Sequence, residues 1–336
     1  MNSPVSRCAP YRVSFCGFSR RRDGFLGAWP FAVLPVLAIA VSVASLTLPA
    51  AGQESGLAFL KLGVDGRAAG MGDAQVASAS GAFATFWNPG GLVGGSGNSV
   101  GLSHHIWIGD VRTYAIAGRF WSGRRSALGL SVISSSSGDL ELRDRPGPPE
   151  GVFEARYLSA GLSYGRRFGR IRSGLTMKFI SEEIFADRAA GYGLDFGGQA
   201  DVAGGAVSIG VALHNVGKMS ELNAEATKLP TAFRIGIEVR PFRILTIDNE
   251  SLVDVHLALD TSQILPDDRT QYHVGVAVEV LEVLVLRGGA IRNDTVREFT
   301  GGVGFRYDAF GFDYAVVTFE SGFGGPGHIL TIGYAW

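Results

Sequence analysis

The histidines are the first residues to weigh for chemistry, and His104, His105 and His214 stand in strand-like surroundings. Neighbouring strand residues point to opposite faces, so His104 and His105 cannot grip one metal ion from one side. Tyr157-x-Ser159-x-Gly161 misses the nucleophile elbow by its first glycine and lies within an expected strand. Ser159 or Ser163 with His256 or His273 is the one arrangement left that could make a Ser–His nucleophile, and it keeps a hydrolase as a remote alternative. Asp139, Glu141, Asp144, Asp267 and Asp268 carry the oxygen ligands that Ca²⁺ takes, although solvated loop charge is the simpler reading. No His-Glu-x-x-His helix, phosphate loop or dinucleotide fingerprint occurs. The expectation is a non-enzyme with no cofactor and no resident metal.

Composition narrows the class. The chain has 336 residues with 30 Lys and Arg against 31 Asp and Glu, a net charge of -1, which gives nucleic acid nothing to bind. Only 18% of residues are charged, 48 are glycine and mean hydropathy is positive, a poor recipe for a disordered chain or an ordinary soluble enzyme. Both cysteines, Cys8 and Cys16, precede the first apolar block, so the body holds no disulfide framework. Arg20, Arg21 and Arg22, the apolar run 31–46 and the small residues Pro49 to Gly52 have the order of an export signal. Residues 1–52 are expected to be a signal peptide cleaved near Ala50 or Gly52. The apolar run, interrupted at Pro35, is too short for a helix of ~20 residues that spans a bilayer.

Beyond residue 97 the sequence alternates with period two. Val253, Val255, Leu257 and Leu259 interleave with Asp254, His256 and Asp260; Tyr272, Val274, Val276 and Val278 interleave with Gln271, His273, Gly275 and Ala277. The rule repeats in Phe233, Ile235 and Ile237 against Arg234 and Glu238, and in Phe299, Val303 and Phe305 against Glu298 and Arg306. Such runs are expected near 98–108, 111–121, 125–134, 154–167, 171–181, 190–201, 206–216, 230–240, 251–261, 270–280, 283–291, 296–306, 310–319 and 327–336. That makes fourteen strands, most near the ~9–11 residues a tilted strand needs to cross a bilayer.

The connections are expected to alternate tight turns with longer loops, the longest at 135–153 and an exception at 241–250, as in outer-membrane barrels. A soluble β-sandwich also alternates, but its polar face meets water and favours Lys, Glu and Thr. Here the second face is rich in Gly, Ala and Ser, and Lys occurs only at 61, 178, 218 and 228. A crowded barrel interior fits better. Leu330, Ile332, Tyr334 and Trp336 alternate to an aromatic C-terminus, which resembles the signal read by the barrel insertion machinery, and closure removes the apolar edge such a strand would leave. Trp107, Trp121, Tyr157 and Tyr314 are placed where interfacial aromatic girdles form.

Residues 53–96 read differently. Arg67, Ala68, Gly70, Met71 and Gly72, followed by Trp87, Asn88, Pro89, Gly91 and Leu92, resemble the opening of the PorV/PorQ family, relatives of the FadL-type barrels. Gly90 stands where the family has alanine. The resemblance runs on through His214 to Gly217, Leu229 and Pro230, Leu286 to Gly289, and the last strand. It implies an all-β, 14-stranded antiparallel transmembrane β-barrel (97–336) with the 53–96 segment folded into the lumen as a plug. Small inward residues leave a bore wider than the ~8-strand size that side chains alone fill, so added chain must occupy it. Arg67 and Asp73 are then expected to pair with wall charges such as Arg234, Asp254, Glu298 or Arg306, and Glu238, His256, Asp260 and His273 to line the lumen.

The resemblance implies two functions. One is FadL-like passage or binding of hydrophobic small molecules. The other is a type IX secretion barrel that receives or shuttles exported cargo proteins. Either places the chain in the outer membrane of a Gram-negative-type bacterium, with outer-membrane lipids and the insertion machinery as partners. An outer-membrane hydrolase is the remote third reading.

Overall fold

The alternating runs pair by their backbones, and the faces they present decide what the sheet can close around. In the computed structural model, residues 55–123, 125–143, 145, 147–241, 253–320 and 324–336 are described. The strands of the first half are β1 (Ser99–Ile106), β2 (Arg112–Trp121), β3 (Ser126–Leu142), β4 (Gly151–Phe168), β5 (Ile171–Ile184), β6 (Asp187–Val202) and β7 (Val207–Met219). A small hairpin, β8 (Glu221–Leu222) with β9 (Glu225–Ala226), stands outside the main sheet. The second half is β10 (Ala232–Val239), β11 (Val253–Ile264), β12 (Arg269–Val280), β13 (Leu284–Arg292), β14 (Arg297–Tyr307), β15 (Phe310–Phe319) and β16 (Gly327–Ala335).

Fourteen strands form a closed antiparallel barrel, β7 pairing with β10 across the hairpin and β16 with β1. Closure is sealed where Asn98 N–H reaches Trp336 O at 2.8 Å and Trp336 N–H reaches Asn98 O at 3.0 Å. No edge of this sheet is left to pair with another chain. Asn98 and Trp336 mark what is here called the near end; the β1–β2, β11–β12 and β13–β14 connections lie at the far end.

Bulky residues face outward and small or polar ones inward. Along β12, Tyr272, Val274 and Val276 are 39–48% exposed, whereas Gln271, His273 and Ala277 are at most 5% exposed. An exterior of this kind suits hydrocarbon rather than water. Leu330, Ile332, Tyr334 and Trp336 all lie on it. The buried core is inside, where Phe59, Val64, Trp87, Leu92 and Val93 of the N-terminal segment pack on Ile133, Ile180 and Met219 of the wall.

Two expectations fail here. The 135–153 connection is mostly strand: Ser135 and Ser136 pair with Tyr157 and Arg156, which leaves only residues 143–150. A serine run does not end a strand whose inner face is polar; Ser135 Oγ shares a 2.9 Å hydrogen bond with Thr113. The other far-end connections range from two residues between β5 and β6 to the twelve residues 220–231 between β7 and β10, which carry the β8–β9 hairpin. The expected contrast of turns and loops is therefore weak. Of the aromatic girdle, Trp107 and Tyr157 instead look inward, Trp107 onto Phe319 and Tyr157 stacked 5.6 Å from Phe59. Trp121 also packs on the inner cluster, because the N-terminal segment supplies apolar partners that an empty bore would lack. Tyr314 faces outward. The expected signal segment 1–52, and all but Pro241 of the 241–250 exception, lie outside the described residues.

Candidate functional site

The N-terminal segment is held by groups that its own sequence places. Asp65 caps the helical turn Gly66–Ala69 through Ala68 N–H at 3.2 Å, and its other oxygen accepts the Trp87 indole N–H at 2.8 Å. Asn88 precedes Pro89 at the start of the 3-10 turn Pro89–Val93 and accepts from Gly90 N–H at 3.1 Å. Its amide donates to Val76 O at 2.9 Å and has Gly198 O and Val211 O of the wall within 3.2 Å. A fully buried amide thus meets both its donor and its acceptor needs.

Wall glycines make room for this backbone. A Cβ at Gly210 would stand 2.2 Å from Val76 O, at Gly275 2.5 Å from Met71 O, and at Gly174 2.3 Å from Pro89. Segment residues answer in kind: Gly72 has φ +63 and would strike Ala290 and Val274, and a Cβ on Gly91 would strike Ala79 O. Met71 packs on Ala258, Ala277 and Val285, while Leu92 fills the space at Gly129 and Gly165. Much of the glycine surplus is therefore close approach of two backbones.

Charges join segment to wall, but not as expected. Asp73 pairs with Arg297 at 2.6 Å, and Arg297 also meets Asp294 at 2.9 Å. A register shift in β14 between Arg297 and Thr300 gives Arg297 the buried position that regular alternation assigns to Glu298, which is half-buried. Arg67 donates to Ser80 Oγ at 3.3 Å rather than to a wall carboxylate. Arg306 pairs with Asp313, which Arg287 also contacts at 2.8 Å. Arg234 lies over the Trp87 ring, 5.4 Å from its centre. Asp260 accepts from Val76 N–H at 2.8 Å, and His273 Nδ1–H donates to Gly72 O at 2.8 Å. His256 lies between Glu238 at 3.2 Å and Asp254 at 3.6 Å. At the far end Asp267 holds Lys61 at 2.8 Å and Ser55 N–H at 2.6 Å. Burial would raise the Asp267 carboxyl, but Lys61 and Ser55 hold it below the ordinary range.

Sequence reasoning overlooked Arg287, Asp294, Arg297 and the group around Asp195. A register shift between β6 and β7, with one extra residue in β7, sets Asn215, whose φ is +58, against Asp195. Asp195 accepts from Asn215 N–H at 2.7 Å and pairs with Lys178 at 2.8 Å; Asn215 Nδ2 donates to Pro230 O at 3.0 Å. A lone lysine on an otherwise small-residue inner face was the signal available for it.

Three cavities follow the segment through the barrel. One of about 470 Å³ at the far end is lined by Phe59, Leu62, Trp107, Tyr157, Asp267 and Arg297, among others. A second of about 340 Å³ at the near end is lined by Asp65, Arg67, Phe83, Trp87, Arg306 and Tyr334, among others. Between them is a space of about 60 Å³ beside Val64, Trp87, Lys178, His214 and Arg234. The far-end cavity falls in the ~300–1,000 Å³ range of small-molecule sites, whereas the middle space has room for only a few waters. Trp87, fixed by Asp65 and covered by Arg234, borders both the middle and the near-end cavity.

Of the Ser–His candidates, Ser163, His256 and His273 are engaged by other groups. Ser163 Oγ is taken by Thr176 at 2.7 Å, His273 by Gly72 and His256 by Glu238. His105 is buried against Val64 O, while His104 stacks on Tyr114. Asp267, offered as a Ca²⁺ ligand, instead anchors the segment. Among the described residues no group of three His, Cys, Asp or Glu is set to hold a metal ion.

A closed 14-stranded antiparallel barrel whose N-terminal segment contacts the inner wall defines the class by fold. No family model and no curated protein matches the chain. Among solved structures it is similar to the toluene transporter TbuX of Ralstonia pickettii, with TM-score 0.54 and 14% identity over 82% of this chain and 98% of that one. It is also similar to the toluene transporter TodX of Pseudomonas putida, with TM-score 0.55 and 10% identity over 82% of this chain and 97% of that one. At these identities the likeness establishes the fold, a closed 14-stranded barrel, and nothing finer.

Proposed function

We propose that the chain is a non-enzymatic outer-membrane barrel of the PorV/PorQ type that binds and passes hydrophobic small molecules, with residues 53–96 as its plug. Residues 1–52 are the export signal in this reading, and the far end faces outside. The observation that carries it is the pair of cavities at opposite ends, with a small middle space between them that Trp87 bounds on the near side. Phe59, Leu62, Trp107, Tyr157 and Phe319 form an apolar side of the far-end cavity, and Lys61, Asp267, Arg269, Asp294 and Arg297 a charged one, which suits an apolar solute that carries a polar group. The toluene transporters of the same fold favour this class over sugars or peptides. The type IX cargo reading needs surface for proteins, and far-end connections of at most twelve residues, 220–231 between β7 and β10, offer little.

The test is reconstitution of the purified chain in liposomes, with uptake of toluene-sized aromatics compared with uptake of sugars. Aromatics should enter faster than in protein-free vesicles, and sugars should not. Equal passage of both, or of neither, overturns the reading, as does recovery of stoichiometric exported proteins in place of apolar ligands on native purification.

A further inference from the structure

The middle space beside Trp87 holds two polar groups that neither the segment nor the wall completes. Lys61, Lys178, His214 and Arg234 line it, and no carboxylate does. Lys61 is taken by Asp267, and Lys178 by Asp195 and by Asn215 Oδ1 at 2.6 Å. Arg234 lies over the Trp87 ring, and its Nε is buried with no hydrogen-bond partner. His214, 6% exposed, has Nδ1 within 3.5 Å of Asp195, and its Nε2 is likewise buried with no partner. Buried polar groups are ordinarily satisfied, so a donor and an acceptor left open beside one space call for a group that serves both.

The two needs are opposite in kind. A guanidinium only donates, whereas the contact with Asp195 places the imidazole proton on Nδ1 and leaves a lone pair on Nε2. A hydroxyl accepts from the first and donates to the second. A carboxylate has no proton for His214, and a hydrocarbon answers neither. Charge leads to the same class. Arg234 stands opposite Ser262, so Asp260 is its diagonal neighbour on the inner face, and the charges of Asp73 and Asp260 both act on it. Arg297 is held by Asp73 and Asp294, and Lys178 by Asp195. Another anion would join carboxylates that already balance the cations.

We propose that Arg234 and His214 bind the hydroxyl of a phenol whose ring lies in the far-end cavity. Phe59, Leu62 and Ile264 line both spaces, so a ring beside them can extend one polar atom toward Arg234. The middle space, about 60 Å³, takes that polar end and no more. The inference rests on the reading of the barrel as a binder of apolar small molecules, and it selects hydroxylated aromatics from among them.

Equilibrium dialysis of the full chain in lipid nanodiscs, with the uptake of empty nanodiscs subtracted, tests it on p-cresol, toluene, 4-methylanisole and p-toluate. Wild type should bind p-cresol about tenfold more tightly than toluene, the gain expected of two net hydrogen bonds. 4-Methylanisole, which keeps the oxygen and lacks the proton, should fall between them, and p-toluate should bind no better than toluene. Arg234→Met and His214→Phe should each bring the p-cresol to toluene ratio toward one. Heat-modifiable mobility and protection of the segment from protease verify each variant, and the four ligands test the pair on wild type even where a variant does not fold. Equal binding of p-cresol and toluene overturns the site, leaving water as its occupant, and so does a preference that survives both substitutions. Tightest binding of p-toluate overturns the hydroxyl and makes the space an anion site. Toluene bound without a preference leaves the small-molecule reading intact, whereas no binding of any of the four overturns that reading as well.

Discussion

Asp73 and Arg297, separated by 224 residues, meet at 2.6 Å with both side chains at most 6% exposed, and Asp294 holds the other face of the guanidinium. A pair so placed fixes the segment to β14, and its loss leaves Arg297 with Asp294 alone. Asp73→Asn should therefore destabilise the docked segment by about 1–3 kcal/mol, the usual result of removing one charge-assisted hydrogen bond from a buried site. Urea unfolding followed by tryptophan emission measures it, since Trp87 reports on the same segment. A double substitution, Asp73→Leu with Arg297→Met, should recover part of the loss; a double variant weaker than the sum of both singles contradicts the pairing.

Gly210 tests the contact between the two backbones. Its Cβ would stand 2.2 Å from Val76 O, and backbone on both sides cannot yield cheaply. Gly210→Val should leave the barrel closed, because the strand ladder is untouched, while freeing residues near Val76. Limited proteolysis should then cleave near 76 in the variant and not in wild type, with unchanged heat-modifiable mobility. Equal protection in both chains refutes the close-approach account.

How far the sequence foretells this interior depends on what breaks its period. Alternation along β11 and β12 reads cleanly because the inward His273 and Asp260 fall on regular positions. Arg297 was not legible, since the shift before Thr300 moves it onto the face that counting gives Glu298. Asp195 falls on a regular inward position opposite Thr176; what counting could not show is Asn215, which an extra residue in β7 sets against it. Trp107 and Tyr157 read as membrane anchors because rings near strand ends usually are; only the segment beside them turns them inward. Regular backbone is visible in sequence, and the bulges that aim single side chains are not.

Asp294 makes the far end acid-sensitive. Burial acts to raise its carboxyl, but the Arg297 charge and the N–H groups of Val296 and Arg297 outweigh this and bring it down to about 2. A lowered folded-state value means stabilisation that is full above the unfolded value, roughly 3.9 for an aspartate, and lost as pH falls through the folded value. The contribution is about 2 kcal/mol at neutral pH, so unfolding midpoints should fall between about pH 4 and pH 2. Asp294→Asn should be weaker than wild type at pH 7 and show a shallower decline over that interval. A parallel decline in both chains sinks the assignment.

Trp87 stands between the middle and the near-end cavity, where the proposed route narrows. Its N–H is held by Asp65, its face by Arg234, and its ring borders both the middle and the near-end cavity. Removing the ring joins spaces that the wild type keeps apart; removing only the N–H does not. In liposomes Trp87→Ala should raise uptake of toluene-sized aromatics by about tenfold or more, equivalent to lowering the barrier by roughly 1.4 kcal/mol, and should begin to admit sugars. Trp87→Phe keeps the partition and loses one hydrogen bond, so it should destabilise the segment by about 1–3 kcal/mol while sugar exclusion persists, because Asp65 keeps its bond to Ala68 but loses its other partner. If Trp87→Ala is as tight to sugars as wild type, with the segment still docked by proteolysis, then another group forms the barrier and the route does not pass this ring.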